Sequence, residues 1–246
     1  MGGTPKTALP PQDRAASLRV DRRYRRRGLS KLLDAHTNKY LSQVNVPILR
    51  YYVLSDNELM LKIISRRGDK KIDSYSLYKA DAMASETNQL IQLDLKDFDD
   101  SWSLIIRNYL LYKKQTFYTQ LIPKCQTLTP ELLKECLLGG KVFVLRENER
   151  LRGIAIQSYS ELSEEEFYIG YLHGEPEILT ELLCELCKLA YCLGKSVVKG
   201  LFPLNDIFGD ALSQAAFKRI HQAEIEVYSA TRKSEVRSQK SEVNYN

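Results

Sequence analysis

Five arginines crowd six positions of the stretch VDRRYRRRGLSKLL, at Arg22, Arg23, Arg25, Arg26 and Arg27, and the run halts at Gly28. Three chemistries compete for such a stretch. Arg-rich segments bind nucleic acid or direct nuclear import. A charge run can also be a solvated helix start. In the third reading, backbone N–H groups ahead of a helix hold a pyrophosphate, and guanidinium groups add charge-assisted hydrogen bonds. The neighbouring pattern favours the third. Apolar alternation at Leu18 and Val20 predicts a strand over Ala16–Asp21, and Leu29, Leu32, Leu33 and Tyr40 at helical spacing predict a helix from Gly28 to about Leu41. Cations at a helix start oppose the macrodipole, and a bound anion removes that conflict. A glycine lets phosphates come close to the backbone.

Other reactive side chains are few. His36 falls on the apolar stripe of the same helix and reads as a core-edge residue. Cys184 and Cys187 form a C-x-x-C, but they sit in EILTELLCELCKLAYCLG, a segment of helical apolar period with no second ligand pair nearby. They read as buried helix-face thiols, and no metal site is expected. The remaining cysteines are Cys125, Cys136 and Cys192, an odd total of 5 that argues for reduced thiols.

The elements that position these groups can be read from the whole chain of 246 residues, which carries a net charge of +5. The charge is local: residues 1–50 hold eleven Lys or Arg against three Asp, so the remainder is net acidic. No apolar run reaches the roughly 18 residues of a membrane span, and the N-terminus lacks an apolar secretory core. Lys6 stands where a myristoylation signal needs Ser or Thr. The expected location is the cytoplasm, with no membrane partner.

Residues 1–15 and 231–246 read as structureless. Between them, PILRYYVLS is a strand, Asp56-Asn57 caps the helix ELMLKIISRR, Gly68 stops it, and DSYSLYKAD is the next strand. After a polar stretch near residues 84–88 the pattern restarts. QLIQLDL is a strand; DDSWSLIIRNYLLYKKQ is a helix with Trp102, Ile105, Ile106, Tyr109 and Leu110 inward. TPELLKECLLGG is a short helix capped by Thr129, and a hairpin turns at Glu147-Asn148-Glu149. EEFYIGYLHG is a strand, Pro176 to Gly194 an amphipathic helix, SVVKGLF a strand, DIFGDALSQAAFKRIH a helix, and AEIEVYS the last strand. This order is an internal repeat in which residues 16–83 reproduce only the later steps of residues 84–230. The fold class is α/β (α+β), a mixed sheet flanked by helices.

The stretch LRVDRRYRRRGLSKLL resembles the cofactor motif of the GNAT N-acetyltransferases, a strand leading into [Arg/Gln]-x-x-Gly-x-[Gly/Ala] at a helix start. The match is Arg25-Arg26-Arg27-Gly28-Leu29-Ser30, with Ser30 in place of the usual Gly or Ala. The resemblance implies that N–H groups from Arg25 to Ser30 hold the pyrophosphate of acetyl-CoA. It also implies that Leu18, Arg19 and Val20 lie along the pantetheine arm, and that Asn57 is the family's asparagine after the next strand. The tyrosine that many members use as general acid falls on Ile64, so the catalytic groups are unassigned. The element order as a whole is similar to the histidine N-acetyltransferase family: an acetyl-CoA-binding part over 16–83, then a second GNAT-like domain over 84–230. The implied reaction moves acetyl from acetyl-CoA to the α-amine of a small free amino acid, histidine being one candidate. The alternative is a non-catalytic GNAT-like scaffold. No nucleic-acid partner is expected.

In the second copy, Glu175 and Glu177 flank Pro176 where a phosphate loop needs donors and cations, so this half is expected not to bind acetyl-CoA. His173, just ahead, reads as structural rather than as a base. The first copy begins at what the second shows to be its central strand. On that reading roughly 70 to 100 residues are expected before Ala16 in an intact protein, and poor turnover is expected without them.

Overall fold

The computed structural model describes residues 12–14, 20–44, 48–112, 117–120, 124–148, 150–158 and 164–231. In chain order the elements are β1 (Gln12–Arg14), α1 (Leu29–Gln43), β2 (Ile48–Leu54), α2 (Glu58–Arg67), β3 (Lys70–Asp81), β4 (Ile91–Gln92) and α3 (Phe98–Tyr112). There follow β5 (Phe117–Gln120), β6 (Lys124–Thr127), α4 (Pro130–Leu138), β7 (Val142–Glu147), β8 (Arg150–Ser158), β9 (Glu166–Gly174) and α5 (Pro176–Cys192). The chain closes with β10 (Val197–Pro203), α6 (Asp206–Gln214), β11 (Lys218–Arg219) and β12 (Ile225–Thr231). The sheet is mixed and mostly antiparallel, with helices flanking it, as the α/β (α+β) reading expected.

Two compact units share these elements. Unit 1 comprises Met1–Tyr51, Leu59–Ile72 and Val227–Asn246; unit 2 comprises Tyr52–Glu58 and Asp73–Glu226. Strands β2, β3 and β12 each contribute residues to both.

Unit 2 holds the deep core. Its strands run β3-β10-β9-β8-β7-β4, with β11 also on β3, and β5-β6 form a separate hairpin. The pairs β4/β7, β7/β8, β8/β9 and β10/β3 are antiparallel, while β9/β10 is parallel. Strands β7 to β9 read as near-continuous apolar runs because both faces are covered. Phe143, Leu145, Ala155, Phe167 and Ile169 join the core formed with α5 and α6. Val142, Val144, Ile154 and Ile156 join the core formed with α3 and α4.

In β9 the alternation breaks. Phe167 and Ile169 face the α5 side, yet so does Leu172, while Tyr171 faces the α3 side. An extra residue, Gly170, causes this: the β8/β9 register passes from Ile156↔Tyr171 to Gln157↔Ile169. One inserted residue exchanges the faces of everything after it. Only glycine fits there, because a Cβ would stand 2.6 Å from Tyr118 Cε2 and 2.8 Å from Ser158 Cβ. The β5–β6 hairpin, which the sequence did not reveal, lies over this point, and Thr119 Oγ1 donates to the Gly170 carbonyl at 3.1 Å.

Several boundaries differ from the sequence reading. A strand at Gln12–Arg14 pairs in parallel with β2, inside the segment read as structureless. Val20 and Asp21 lie outside any strand, and Leu18 and Arg19 lie outside the described residues. The helix read over 206–221 stops at Gln214, because Ala216 takes a left-handed φ of 61° and Lys218–Arg219 pair with β3. The strand read over QLIQLDL shortens to Ile91–Gln92. On α3, Ile105 is fully buried and Trp102 and Ile106 half-buried, as expected, whereas the side chains of Tyr109 and Leu110 lie outside the described residues. The stripe on α1 forms a helix but not a core. Leu32, Leu33 and Tyr40 are exposed, as is His36, and Leu41 alone is buried. Helical spacing gives a helix its apolar side; burial also needs a surface to receive it.

Candidate functional site

The arginine–glycine stretch becomes a compact turn at the head of α1. Arg22–Tyr24 form one turn of 3-10 helix, started by Asp21, whose carboxylate accepts the Arg23 N–H at 2.9 Å. The Arg23 guanidinium returns to the same carboxylate at 3.1 Å, and these bonds hold Asp21 below the usual carboxylate pKa. Arg25 Nε donates to the Val20 carbonyl at 3.1 Å, closing the turn from the other side. The Tyr24 ring carries the Arg23 guanidinium at 5.8 Å and that of Arg27 at 5.5 Å. Two of five guanidinium groups are therefore held against one ring.

Left-handed backbone follows twice, at Arg26 with φ 64° and at Gly28 with φ 76°. Residues alternating in this way turn successive N–H groups toward one side, a concavity suited to an anion. Gly28 is the N-cap of α1. The first helical donors, Lys31 and Leu32 N–H, both go to the Gly28 carbonyl, at 3.0 and 3.2 Å. Among the described residues no hydrogen bond takes the N–H of Arg26, Arg27, Gly28, Leu29 or Ser30. The helix has 15 residues and no acidic side chain in its first turn, whereas α2, α4, α5 and α6 carry Glu58, Glu131, Glu177 and Asp206 there. Partial positive charge of the helix end and the guanidinium charges thus add without local compensation beyond Asp21.

This geometry fits a pyrophosphate. A Cβ built on Gly28 meets nothing within 4 Å, so the space before the glycine is open. Five successive backbone N–H groups stand open in this turn, and Arg25, Arg26 and Arg27 border it, all exposed. Ser30 is exposed on the first turn, so its hydroxyl does not crowd the backbone. Asn57 belongs to unit 2 and directly precedes α2, its N–H donating to the Leu54 carbonyl at 2.9 Å. The left-handed Arg26 carries no sequence signal, since arginine has no preference for that conformation.

Ile64, at the position where the resemblance looks for a proton donor, is buried at 2 % exposure. Elsewhere in unit 1, the Tyr51 hydroxyl donates to the Asp69 carboxylate and its ring stacks on Tyr228 at 5.9 Å. Burial and the Asp69 carboxylate raise the Tyr51 pKa well above the ordinary phenol value. The start of α5 is built oppositely to that of α1. Its N-cap Glu175 accepts from Arg152 at 2.7 Å and forms an ion pair with Arg150 at 3.7 Å, and Pro176 offers no N–H. The C-x-x-C thiols of α5 are held protonated by their surroundings: Cys187 is buried, and burial pushes it up to about 12, while Cys184 is raised for the same reason. Among the described residues no group of three or more His, Cys, Asp or Glu could hold a metal ion, and no helix is long and apolar enough to cross a membrane.

Neither a protein-family model nor a curated protein sequence matches the chain. Solved structures do. A GCN5-related N-acetyltransferase from Sphaerobacter thermophilus superposes with a TM-score of 0.60 at 12% identity, over 86% of this chain and 70% of its own. A tandem GNAT protein of the clavulanic acid biosynthesis pathway gives 0.57 at 14% identity, over 91% and 76%. The N-myristoyltransferase of Saccharomyces cerevisiae with bound myristoyl-CoA gives 0.55 at 13% identity, over 90% of this chain and 60% of its own. At these identities the likeness concerns architecture, and on it the chain has the fold of the GCN5-related N-acetyltransferases, tandem forms included.

Proposed function

We propose that this chain is a CoA-dependent N-acyltransferase that moves acetyl from acetyl-CoA to the α-amine of a small free amino acid, histidine first among the candidates. The observation that carries the reading is the pair of left-handed residues, Arg26 and Gly28, which leave five N–H donors open at the head of a 15-residue helix within this fold. Backbone N–H groups of Arg26 to Ser30 donate to the pyrophosphate. Arg25, Arg26 and Arg27 add charge around it, the segment Leu18, Arg19 and Val20 lies along the pantetheine arm, and Asn57 corresponds to the asparagine of the resemblance. In this reading residues 16–83 form the cofactor-binding part and 84–230 the second GNAT-like part, and the protein works in the cytoplasm without nucleic acid.

In the reaction the amine nitrogen bonds to the thioester carbonyl carbon, the C–S bond breaks, the amine loses a proton and the departing thiolate gains one. The loop contributes by fixing the thioester in place, which converts an encounter between two solutes into a reaction at one. A second reading, a GNAT-like scaffold that binds CoA without turnover, is favoured by the buried Ile64 at the proton donor's place.

Thiol release measured with acetyl-CoA and with myristoyl-CoA, each against a panel of free amino acids including histidine, decides between them. Amino-acid-dependent thiol release with acetyl-CoA supports the transferase. CoA binding without release supports the scaffold. Absence of CoA binding overturns both.

A further inference from the structure

Helix α1 of unit 1 keeps its apolar side uncovered. Its one buried residue is Leu41, and Asp34 joins Arg67 of α2 through an ion pair at 2.7 Å. At about 100° per residue, Asp34 and Leu41 share one face of the helix, the face turned to the rest of the unit. Leu33 and Tyr40 each stand one position earlier, so the apolar stripe runs about 100° round the helix from that face. Leu32 and Val44 border the stripe. All four side chains are exposed, Leu32 by 66% and Tyr40 by 53%. A helix that buries a carboxylate's face and exposes its leucines reverses the usual orientation on a core, and contiguous exposed apolar side chains mark an interaction surface.

Charge narrows what can cover the stripe. Over residues 29–44 the cations are Lys31 and Lys39, both exposed. Lys31 directly precedes Leu32 and Lys39 directly precedes Tyr40, on the solvent side of the stripe. Among the described residues neither lysine forms an ion pair, and the one carboxylate of the segment, Asp34, is taken by Arg67. The arginine run at the head of the helix has the same sign. A second copy of α1 would set like charge against like, which opposes pairing of two such helices. A lipid surface needs the apolar side chains on the side of the helix facing away from the protein. Here the stripe looks along the flank, where a partner lying alongside meets it and a plane does not. A partner helix meets it along the whole length of α1, about 22 Å, with side chains at three- and four-residue spacing set between those of α1.

We propose that the apolar flank of α1 is a docking surface for an acidic amphipathic helix of another polypeptide, its apolar residues on Leu32, Leu33, Tyr40 and Val44 and its carboxylates beside Lys31 and Lys39. None of these residues lies in the phosphate loop, so the proposal stands apart from the CoA reading.

Fluorescence anisotropy on the full chain tests it with labelled peptides of about 15 residues, long enough to run the length of α1. The first has Leu at helical spacing and Glu elsewhere; the second keeps the Leu positions and has Lys elsewhere; the third scrambles the acidic sequence. The first binds, and more weakly as salt rises. The second and third bind at least tenfold more weakly. Leu32→Glu, at a side chain too exposed to support the fold, weakens the first peptide at least tenfold. Lys39→Glu weakens it severalfold and reduces its salt dependence, and it carries the test should Leu32→Glu fail to fold. Leu138→Glu, at a residue of unit 2 that is 72% exposed, leaves binding unchanged. The proposal is overturned if the acidic peptide does not bind, if the basic or scrambled peptide binds as well, or if a folded Leu32→Glu binds normally. It is equally overturned if Leu32→Glu abolishes sedimentation with phosphatidylglycerol vesicles or dissociates a dimer in sedimentation velocity, since the stripe would then belong to a lipid surface or to a second copy.

Discussion

Gly28 is the position where the phosphate reading is most exposed to refutation. Two substitutions separate its parts. Gly28→Ala adds one methyl group to a residue held at φ 76°. The left-handed conformation costs an L-residue about 1–2 kcal/mol, and the new Cβ meets nothing within 4 Å in the free protein. The strain is paid by free and bound states alike, so it lowers the melting temperature by a few degrees without touching affinity. Any loss of CoA affinity then reports that the open space before Gly28 is where the phosphates lie.

Gly28→Glu adds charge. A carboxylate about 4 Å from one phosphate charge is repelled by about 1 kcal/mol at the dielectric of water and about 4 kcal/mol at an effective value of 20. The loop is exposed, so the lower half of that range applies. With about 1.4 kcal/mol per factor of ten, CoA binding weakens roughly fivefold to sixtyfold. The electrostatic part shrinks as salt rises from about 0.1 M to about 1 M, where the screening length falls from about 10 Å to about 3 Å. Titration calorimetry with CoA at both salt concentrations measures these effects. Affinities of both variants within twofold of wild type, in folded protein, would refute the assignment of the loop.

Three further outcomes follow from unit 2. Gly170→Ala destabilises the chain by about 2–3 kcal/mol in urea unfolding, because its Cβ would stand 2.6 Å from Tyr118 Cε2 and 3.0 Å from the Thr119 carbonyl oxygen; an unchanged midpoint would contradict the bulge. Timed alkylation read by mass spectrometry labels the exposed Cys192 first and leaves the buried Cys136 and Cys187 unlabelled until unfolding; early labelling of Cys187 would show that α5 does not bury its C-x-x-C. Burial first, then Arg107, lowers the His173 pKa from 6.5 to about 4, against a smaller opposing effect of Glu175. Its neutral form therefore contributes stability that is present above pH 6.5 and lost as pH falls toward 4, up to about 3 kcal/mol. Stability of His173→Gln should be flatter across that window, and parallel pH profiles would remove the role given to burial.

Legibility of the sequence followed the range of the interaction involved. Helix starts and stops depend on a few adjacent residues, so Thr129 at the head of α4, Gly68 after α2 and Gly194 after α5 could be read directly; Thr129 caps through Leu132 N–H, and both glycines take positive φ. The hairpin around Asn148 was likewise local, with a left-handed Asn148 at its turn. Burial was not local. The α1 stripe has the spacing of a core face, and yet Leu32 is 66% exposed. Nor could the bulge at Gly170 be read, because its cause is a hairpin fifty residues earlier in the chain, crossing β9 through Thr119. The strand Gln12–Arg14 was missed for a related reason: these residues are polar, and their pairing with β2 comes from the backbone rather than from an apolar pattern.

The same distinction separates the two helix starts. At the head of α1 the chemistry is carried by backbone donors and a glycine, and a short sequence segment is enough to specify it. The left-handed Gly28 and the absence of acid in the first turn both follow from adjacent residues. The two helix starts also have opposite electrostatics, because Glu175 bonded to Arg152 occupies the place that open N–H groups hold at Gly28. The start of α5 thus closes on an ion pair of its own, while the start of α1 keeps its donors open among guanidinium groups.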